Sequence, residues 1–264
     1  MGGARILVLT GAGISAESGI PTFRGHDGYW VVGSKNYMPE EMATRAMFQR
    51  HPQHVWSWYL YRFGVCRHAR PNQAHHALVE LEQAFGDRFS LVTQNIDGLH
   101  RRAGSSDQRT YCIHGDAARI RCSQECGLPI QPIPEIDVAT AGIELSQTQR
   151  ERLTCSACGA WMRPHVLWFD EYYDEENYRA DSAERAAGLA DLLLVVGTSG
   201  ATSLPMRIGR LCVQRGVIII DINPESNPFA SLANQASRGC AVRSSACDSV
   251  PGIVKYLIAR NPSS

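Results

Sequence analysis

The chain has 264 residues, 44% of them hydrophobic, and its 26 basic residues balance its 26 acidic residues. Such a chain can bury one large core and a smaller satellite module, which excludes fibrous and disordered classes. The balanced charge gives no overall attraction to nucleic acid or to a membrane surface, and no apolar stretch reaches the length of about 18 residues that a membrane span needs. Because an apolar run begins at Ile6, we expect no targeting peptide and a cytoplasmic location.

Four short apolar runs predict buried parallel strands. They are rich in β-branched residues without alternation, which is typical of strands covered on both faces. The predicted strands are Ile6–Thr10, Phe89–Thr93, 192–197 and 217–222. The predicted helices between them include 72–84, Ala180–Leu189 and 205–215. This alternation predicts an α/β fold with a Rossmann-like, doubly wound parallel sheet.

Two segments do not fit this alternation. Residues 34–85 hold an aromatic-rich helical module, and residues 118–165 hold two cysteine pairs around a proline-rich and then polar spacer. We interpret both as insertions that together form a small domain. The large nucleotide-binding domain would then consist of residues 1–33, 86–117 and 166–264.

The first predicted strand leads into a glycine-rich turn at residues 11–30. Gly11 and Gly13 directly after a buried strand let the backbone approach a pyrophosphate, with the amide groups of a helix start directed at its charge. The third glycine and the acid of the dinucleotide fingerprint are not at their usual positions, so this pair alone is a weak indication of a nucleotide site. A second turn at residues 21–25 adds an aromatic and a basic side chain beside the loop.

The cysteines are nine in number, and four of them form two close pairs. The pairs, Cys122 with Cys126 and Cys155 with Cys158, can each present two thiolates from one tight turn. Four thiolates suit a closed, tetrahedral structural zinc. The alternative is four free cysteines, and a catalytic zinc is disfavoured because no other ligand lies at a suitable spacing. One metal site in a reducing compartment fits better than a disulfide framework.

Four polar motifs follow in order along the chain. They are T-Q-N-I-D-G-L-H at 93–100, I-H-G-D at 113–116, G-T-S at 197–199 and N-P-E at 223–225. Together with the glycine-rich turn and the cysteine pairs, they make the whole chain resemble the sirtuins, the NAD-dependent protein lysine deacylases. The likeness is greatest to the bacterial and mitochondrial class that removes succinyl and malonyl groups. The resemblance implies NAD⁺ as co-substrate, one structural Zn²⁺, acyl-lysine proteins or peptides as substrates, and a monomer.

The resemblance also assigns roles to individual residues. Those expected around the pyrophosphate and nicotinamide ribose are Gly11, Ala12, Gly13, Ile14, Ser15, Glu17, Ser18, Gly19, Thr22, Phe23, Arg24, Tyr29 and Trp30. Those expected at the nicotinamide are Gln94, Asn95, Ile96 and Asp97. Those expected on the adenosine side are Gly197, Thr198, Ser199, Asn223, Pro224, Glu225 and Ala246.

The catalytic set implied by the resemblance is His114, Asn95 and Asp97. In the family, the acyl oxygen attacks C1′ of the ribose as nicotinamide leaves, and a histidine then deprotonates the ribose hydroxyl that captures the acyl group. A neutral imidazole suits this step, because its unperturbed pKa is about 6.5. The alternative for His114 is a structural histidine, with Asp116 as the first other candidate for the base. His100 is interpreted as a structural residue.

The acyl pocket is expected to involve Tyr59 and Arg62, which stand three positions apart in a predicted helix and so project from one face. In the family, this Tyr-x-x-Arg pattern marks enzymes that accept acidic acyl groups, and Thr22 takes the place of an aspartate common in plain deacetylases. A guanidinium can bind a carboxylate through two hydrogen bonds. The alternative is a surface arginine packed on aromatic rings. Val166, Leu167 and Phe169 are expected to contact the substrate.

The chain also departs from the family pattern. Asp170 replaces the glycine of Phe-Gly-Glu, where we expect the substrate backbone to pass; Pro205 is shifted by one position; and an insertion near residues 33–36 is expected to alter the cofactor loop. Two other functions stay open: a mono-ADP-ribosyltransferase that uses the same NAD activation, and an NAD-binding regulatory module without catalysis.

Overall fold

The computed structural model describes residues 3–21, 30–32, 35–137, 144–236 and 238–261. The strands are β1 Ile6–Thr10, β2 Trp30–Val32, β3 Lys35–Tyr37, β4 Phe89–Thr93, β5 Thr110–Cys112, β6 Gly115–Cys122, β7 Gln131–Pro132, β8 Met162–Val166, β9 Leu192–Val196, β10 Ile218–Ile222 and β11 Cys240–Val242. The α-helices are α1 Pro39–Met42, α2 Arg45–Arg50, α3 Pro52–His68, α4 Gln73–Phe85, α5 Leu99–Ala103, α6 Gln147–Arg152, α7 Glu175–Tyr178, α8 Ala180–Leu189, α9 Ser203–Gln214, α10 Pro228–Gln235 and α11 Ala246–Ala259. Two 3₁₀ helices, Ala12–Ser18 and Gly86–Arg88, complete the set.

A parallel sheet of six strands forms the centre of the described part of the chain, in the order β11-β10-β9-β1-β4-β5. This order confirms the predicted doubly wound fold. The chain direction across the sheet reverses between β1 and β9, and the crevice at such a switch point, outside the carboxyl ends of the strands, is where ligands bind in this architecture. In register, Thr10 at the end of β1 lies beside Thr93 of β4 and Val196 of β9, so three loops leave the sheet at the same level.

Helices cover both faces of the sheet. Helices α4 and α11 share a core with one face of β1, β4 and β9, while α8, α9 and α10 cover the other face. The Asn72 side chain accepts hydrogen bonds from the first turn of α4, which therefore begins one residue later than predicted. Helix α9 begins two residues earlier than predicted, at Ser203, because a proline in the first turn of a helix leaves no hydrogen bond unmade.

A second, smaller core lies outside the sheet. It joins α2 and α3 to the antiparallel sheet β7-β6-β8 and contains Trp56, Trp58 and Trp168. The Trp56 indole N–H donates to the carbonyl oxygen of Met162 at 2.7 Å, which fastens α3 to β8. The two inserted segments thus share one core. The division into two domains stays a prediction, and α4, at the end of the 34–85 segment, packs on the large sheet instead.

Among the described residues, no helix is both long enough and apolar enough to cross a bilayer.

Candidate functional site

The loops after β1 and β9 meet backbone to backbone at the switch point. The Gly11 amide donates to the Val196 carbonyl at 3.0 Å, and the Gly13 amide donates to the Gly197 carbonyl at 2.8 Å. A Cβ on Gly13 would lie 2.6 Å from the Gly197 Cα, and Gly197 has a φ of +63°, so neither position accepts a side chain without displacement. This close approach leaves a bare backbone surface at the place where a dinucleotide pyrophosphate would lie.

Three polar side chains of the predicted nicotinamide end form one connected network. The Ser15 hydroxyl donates to the Asp97 carboxylate at 2.7 Å, and the Asn95 amide donates to Ser15 Oγ at 3.2 Å and to the Gly11 carbonyl at 3.0 Å. Burial raises the pKa of Asp97, and hydrogen bonds from the Leu99 amide and Ser15 partly offset this rise. The network fixes the loop after β4 against the loop after β1.

Gln94, the first residue after β4, contacts the residues between β9 and α9. Its amide nitrogen donates to Thr198 Oγ1 at 2.8 Å, and its amide oxygen accepts from Thr202 Oγ1 at 3.0 Å. The side-chain amides of Gln94 and Asn95 are thus both hydrogen-bonded within the protein. Gln94 therefore acts as a bridge between the loops after β4 and β9.

His114 lies in the turn between β5 and β6 and makes one hydrogen bond at each ring nitrogen. Nδ1 is 3.0 Å from the Gln94 carbonyl oxygen, and Nε2 is 2.8 Å from the Tyr173 hydroxyl. A carbonyl only accepts, so Nδ1 carries the hydrogen and Nε2 keeps the lone pair. Burial lowers the pKa of His114 to about 4, which leaves the ring neutral at pH 7. By contrast, the Asp116 carboxylate is held in an ion pair with Arg101.

The predicted adenosine-side residues follow β10 and precede α11. The Asn223 amide donates to the Thr198 carbonyl at 3.0 Å, and Asn223 Oδ1 accepts from the Glu225 amide at 3.1 Å, across Pro224. Ser199 follows Thr198 in the loop after β9, and Ala246 is the first residue of α11, where it is buried. These residues line the same side of the switch point as Gly197.

The 3₁₀ helix after Gly11 is fastened by the side chains of its last two residues. The Glu17 carboxylate accepts from the Cys247 amide at 3.1 Å and from the Ser245 hydroxyl at 3.2 Å, and Ser18 Oγ accepts from the Asn72 amide at 3.0 Å. Both side chains therefore hold the loop on its neighbours. In the rest of this segment, Ala12 is the first residue of the 3₁₀ helix and Ile14 is buried. Gly19 follows the helix at a φ of +82°.

Four predicted cofactor residues, Thr22, Phe23, Arg24 and Tyr29, lie outside the described residues. Trp30 lies in β2, and only its backbone is described. Their roles, and the effect of the insertion near residues 33–36, stay predictions.

Of the predicted substrate residues, Tyr59 on α3 contacts the segment after β8. The Trp168 indole N–H donates to the Tyr59 hydroxyl at 3.0 Å, and the Arg62 guanidinium lies 5.4 Å from the Trp58 ring centre. Burial lowers the pKa of Arg62. The Leu167 amide donates to the His114 carbonyl at 3.0 Å, so the segment that begins after Val166 runs directly beside the predicted base. Phe169 is 54% exposed and available to a partner.

The four paired cysteines form one cluster, as their spacing predicted. Their sulfur atoms all lie within 4.8 Å of one another, with Cys122 and Cys158 3.5 Å apart and Cys126 and Cys155 3.6 Å apart. Four sulfurs at this separation fit one tetrahedral zinc. The eight-residue strand β6 runs from Gly115 to Cys122, so the cluster lies roughly 20 Å from His114 and outside the chemistry.

Comparison with known proteins identifies the family. The model of the Sir2 family matches residues 11–203 of the chain. The chain belongs to the Sir2 family. It is 43% identical over 241 residues to an NAD-dependent protein deacylase of Thermus thermophilus, covering 90% of this chain and 86% of that protein.

Solved structures agree with this family assignment. A Sir2 homologue in complex with NAD superimposes with a TM-score of 0.78 at 34% identity, covering 96% of this chain and 88% of that one. A Sir2 homologue mutant in complex with 2′-O-acetyl ADP ribose superimposes with a TM-score of 0.77 at 35% identity, covering 96% of this chain and 91% of the other. The glycine contact at the switch point fits NAD, and the cysteine cluster fits one structural zinc.

In this Sir2 protein, Asp170 has hydrogen-bond partners within the chain, and its effect on the substrate path stays a prediction. Its carboxylate accepts from the backbone amides of Arg45 at 2.7 Å and Ala46 at 3.1 Å, and so caps the start of α2. The next residue, Glu171, forms a buried ion pair with Arg163. Burial tends to raise the pKa of Glu171, but the hydrogen bonds and charge of Arg163 lower it overall. Both acids hold the substrate-side segment in place.

The sequence interpretation missed Tyr173 and Thr202 in this Sir2 protein. Tyr173 contacts the predicted base from 59 positions further along the chain, and Thr202 binds Gln94 across 108 positions. No spacing rule connects residues so far apart. The sequence shows only a second tyrosine after Phe169 and Glu171. That this tyrosine contacts His114 is seen only in the folded chain.

Proposed function

We propose that this NAD-dependent protein deacylase of the Sir2 family removes succinyl and malonyl groups from lysine, and acetyl groups as well. One observation supports the choice of base: the neutral His114 ring, with its lone pair on Nε2, lies beside the substrate segment at the switch point of the sheet. The acidic-acyl part of the proposal depends on Tyr59 and Arg62.

The proposed mechanism divides the work among the chain's own residues. When bound, NAD supplies the C1′ electrophile of its ribose and nicotinamide as leaving group. The glycine backbone at 11, 13 and 197 would bind the pyrophosphate, and Ser15, Asn95 and Asp97 would orient the nicotinamide end. Positioning of this kind supplies a large part of the barrier reduction when the nucleophile is a weak amide oxygen.

His114 would then act as general base. With both substrates bound, Nε2 would accept the proton of a ribose hydroxyl as the oxygen of that hydroxyl bonds to the acyl carbon. One water is consumed as the bond between the acyl carbon and the lysine nitrogen breaks, and the lysine leaves as the protonated amine. The Gln94 carbonyl stabilises the imidazolium that forms, because it accepts from Nδ1 in both charge states. The products are nicotinamide, free lysine and O-acyl-ADP-ribose.

Tyr59 and Arg62 support recognition of an acidic acyl group. The Tyr59 oxygen accepts from Trp168, so its own hydrogen remains available for donation. Burial lowers the pKa of the Arg62 guanidinium, so the surroundings penalise its charged form. A substrate carboxylate would therefore strengthen the charged form of a cation that burial otherwise penalises.

The replacement Arg62→Met tests the acyl preference, with Arg67→Met as matched control because Arg67 is exposed on the last turn of the same helix. Loss of one partner of a buried charge pair costs about 2–5 kcal/mol, and about 1.4 kcal/mol is tenfold. We expect Arg62→Met to slow desuccinylation by roughly 30-fold or more and to leave deacetylation within a few-fold.

The measurement is kcat/KM on succinyl, malonyl and acetyl peptides of one sequence, with products identified by mass. Equal losses on all three peptides, or survival of succinyl turnover, would assign Arg62 to packing and leave a plain deacetylase. Labelled protein in place of O-acyl-ADP-ribose would identify a mono-ADP-ribosyltransferase, and NAD binding without any product would identify a regulatory module.

The biological setting completes the proposal. We propose that the substrates are acyl-lysine proteins or peptides, and that the protein works as a cytoplasmic monomer without direct contact to nucleic acid or membrane. The equal numbers of acidic and basic residues support this part.

A further inference from the structure

Tyr173 is a partly buried polar residue that the proposed mechanism does not use. Its hydroxyl lies 2.8 Å from Nε2 of His114, and the two rings are 5.8 Å apart with an interplanar angle of 31°. The side chain packs on the core formed by α8, α9 and α10, which holds the ring from behind. Its neighbour Tyr172 is 91% exposed.

The direction of this hydrogen bond follows from the other nitrogen. Nδ1 faces the Gln94 carbonyl, which can only accept, so the hydrogen of the neutral ring is on Nδ1. Nε2 is then an acceptor, and Tyr173 must be the donor. The phenol therefore occupies the lone pair that a general base uses.

Thr202 also lies near the phenol. It acts to lower the pKa of Tyr173, and its hydroxyl donates to the Gln94 side-chain oxygen at 3.0 Å. The backbone carbonyl of Gln94 accepts from Nδ1 of His114. The base and its phenol partner therefore belong to one polar cluster.

We propose that Tyr173 is a positioning residue for the general base: its phenol donates to Nε2 of His114, holds the ring in place and neutral, and yields Nε2 to the ribose hydroxyl when that hydroxyl binds. This inference rests on the proposed role of His114. The charge state of His114 then depends on a second residue, Tyr173.

The groups around His114 and Tyr173 support a local effect of the contact between them. Tyr173 has a pKa raised to about 12 by burial, so it stays protonated as a donor across the working pH range. Arg207 acts on the phenol from α9. On the strand that follows His114, Asp116 is paired with Arg101.

The test compares Tyr173→Phe, which removes only the hydroxyl, with the matched control Tyr172→Phe at the exposed neighbour. A donor to the neutral ring lowers a histidine pKa, so its removal raises that pKa. We expect the acid limb of the kcat/KM profile to move up by about half to one pH unit in Tyr173→Phe and to stay in place in Tyr172→Phe. We expect the ¹⁵N resonance of His114 Nε2 to move toward that of a free acceptor, with Nδ1 still protonated.

The resonance reports on the contact whether or not the enzyme turns over, and this separates two failures. An unchanged Nε2 resonance together with an unchanged acid limb in Tyr173→Phe would overturn the positioning role. If His114→Ala keeps its turnover, the base assignment fails, and with it the part of this proposal that depends on the ribose hydroxyl. A shift of equal size in Tyr172→Phe would also overturn it, because the effect would then be general.

Discussion

His114 has a partner on each ring nitrogen, and this determines what its removal does. His114→Ala deletes the acceptor for the ribose proton while the glycine loop and the Ser15 network stay intact. We expect deacylation to fall about 10²–10⁴-fold, the usual loss for a general base, with NAD affinity within a few-fold. Steady-state rates and calorimetric NAD titration measure both quantities. More than about a tenth of wild-type turnover would place the base elsewhere, with Asp116 examined first.

At the residue scale, the sequence predicts the chemical type of a site better than it predicts which residues contact one another. The residue types of Asn95, Asp97 and His114 indicated a polar site, and the fold brings them to one edge. The capping role of Asp170 was not predicted, because its partners, Arg45 and Ala46, lie 125 and 124 positions earlier. The sequence around Asp170 does not reveal that its carboxylate caps a helix far away along the chain.

At the element scale, the cysteine cluster holds together a small sheet that has little support of its own. Strand β7 has only two residues, and β6 and β8 slip in register between Asp116 and Ile120. Structural zinc contributes folding free energy directly. We expect one zinc per chain, and we expect chelation to disorder the core shared by Trp56 and Trp168 and to abolish activity.

Metal analysis and tryptophan fluorescence check this expectation together. Cys126→Ser should reproduce the effect of chelation, whereas Cys240→Ser, at an exposed cysteine outside the cluster, should match the wild type. Freshly purified active protein with well under one zinc per chain would rule out the structural metal.

Some elements were predictable from local pattern and others were not. Strands β1 and β4 and helix α8 have the predicted bounds, because apolar runs and clear helix ends specify them locally. Strands β5 and β11 were not predicted. Each has three residues at an edge of the sheet, and so short a segment becomes a strand only by pairing with a neighbour already in place.

At the scale of the whole molecule, buried histidines make stability depend on pH. Burial lowers the pKa of His75, His114 and His165 to about 4, and that of His100 well below its usual value. The unfolded chain therefore binds more protons than the folded one below about pH 6.5, so stability is complete above that pH and is lost as pH falls toward 4. Asp97 and Asp221, whose pKa values burial raises, act in the opposite sense.

We therefore expect the free energy of unfolding to decrease between pH 7 and pH 5, by at most about 1.4 kcal/mol per pH unit for each histidine. Urea unfolding at pH 7, 6 and 5 measures it. His165→Gln should reduce the pH dependence of the free energy of unfolding by the contribution of one histidine. A free energy of unfolding that stays constant over this range would show that these rings can take up protons while folded.

The small core has a consequence for synthesis on the ribosome. Its helical half lies within residues 42–60 and its other half within residues 120–168. At 5–20 residues per second, the roughly 110 residues from the end of the first half to the end of the second take roughly 5–20 s to translate. During that time the nascent chain carries Trp56 and Trp58 without the strands that later cover them. We expect the first half of this chain to depend on chaperones until β8 has left the exit tunnel, and fragments that end before β8 to aggregate.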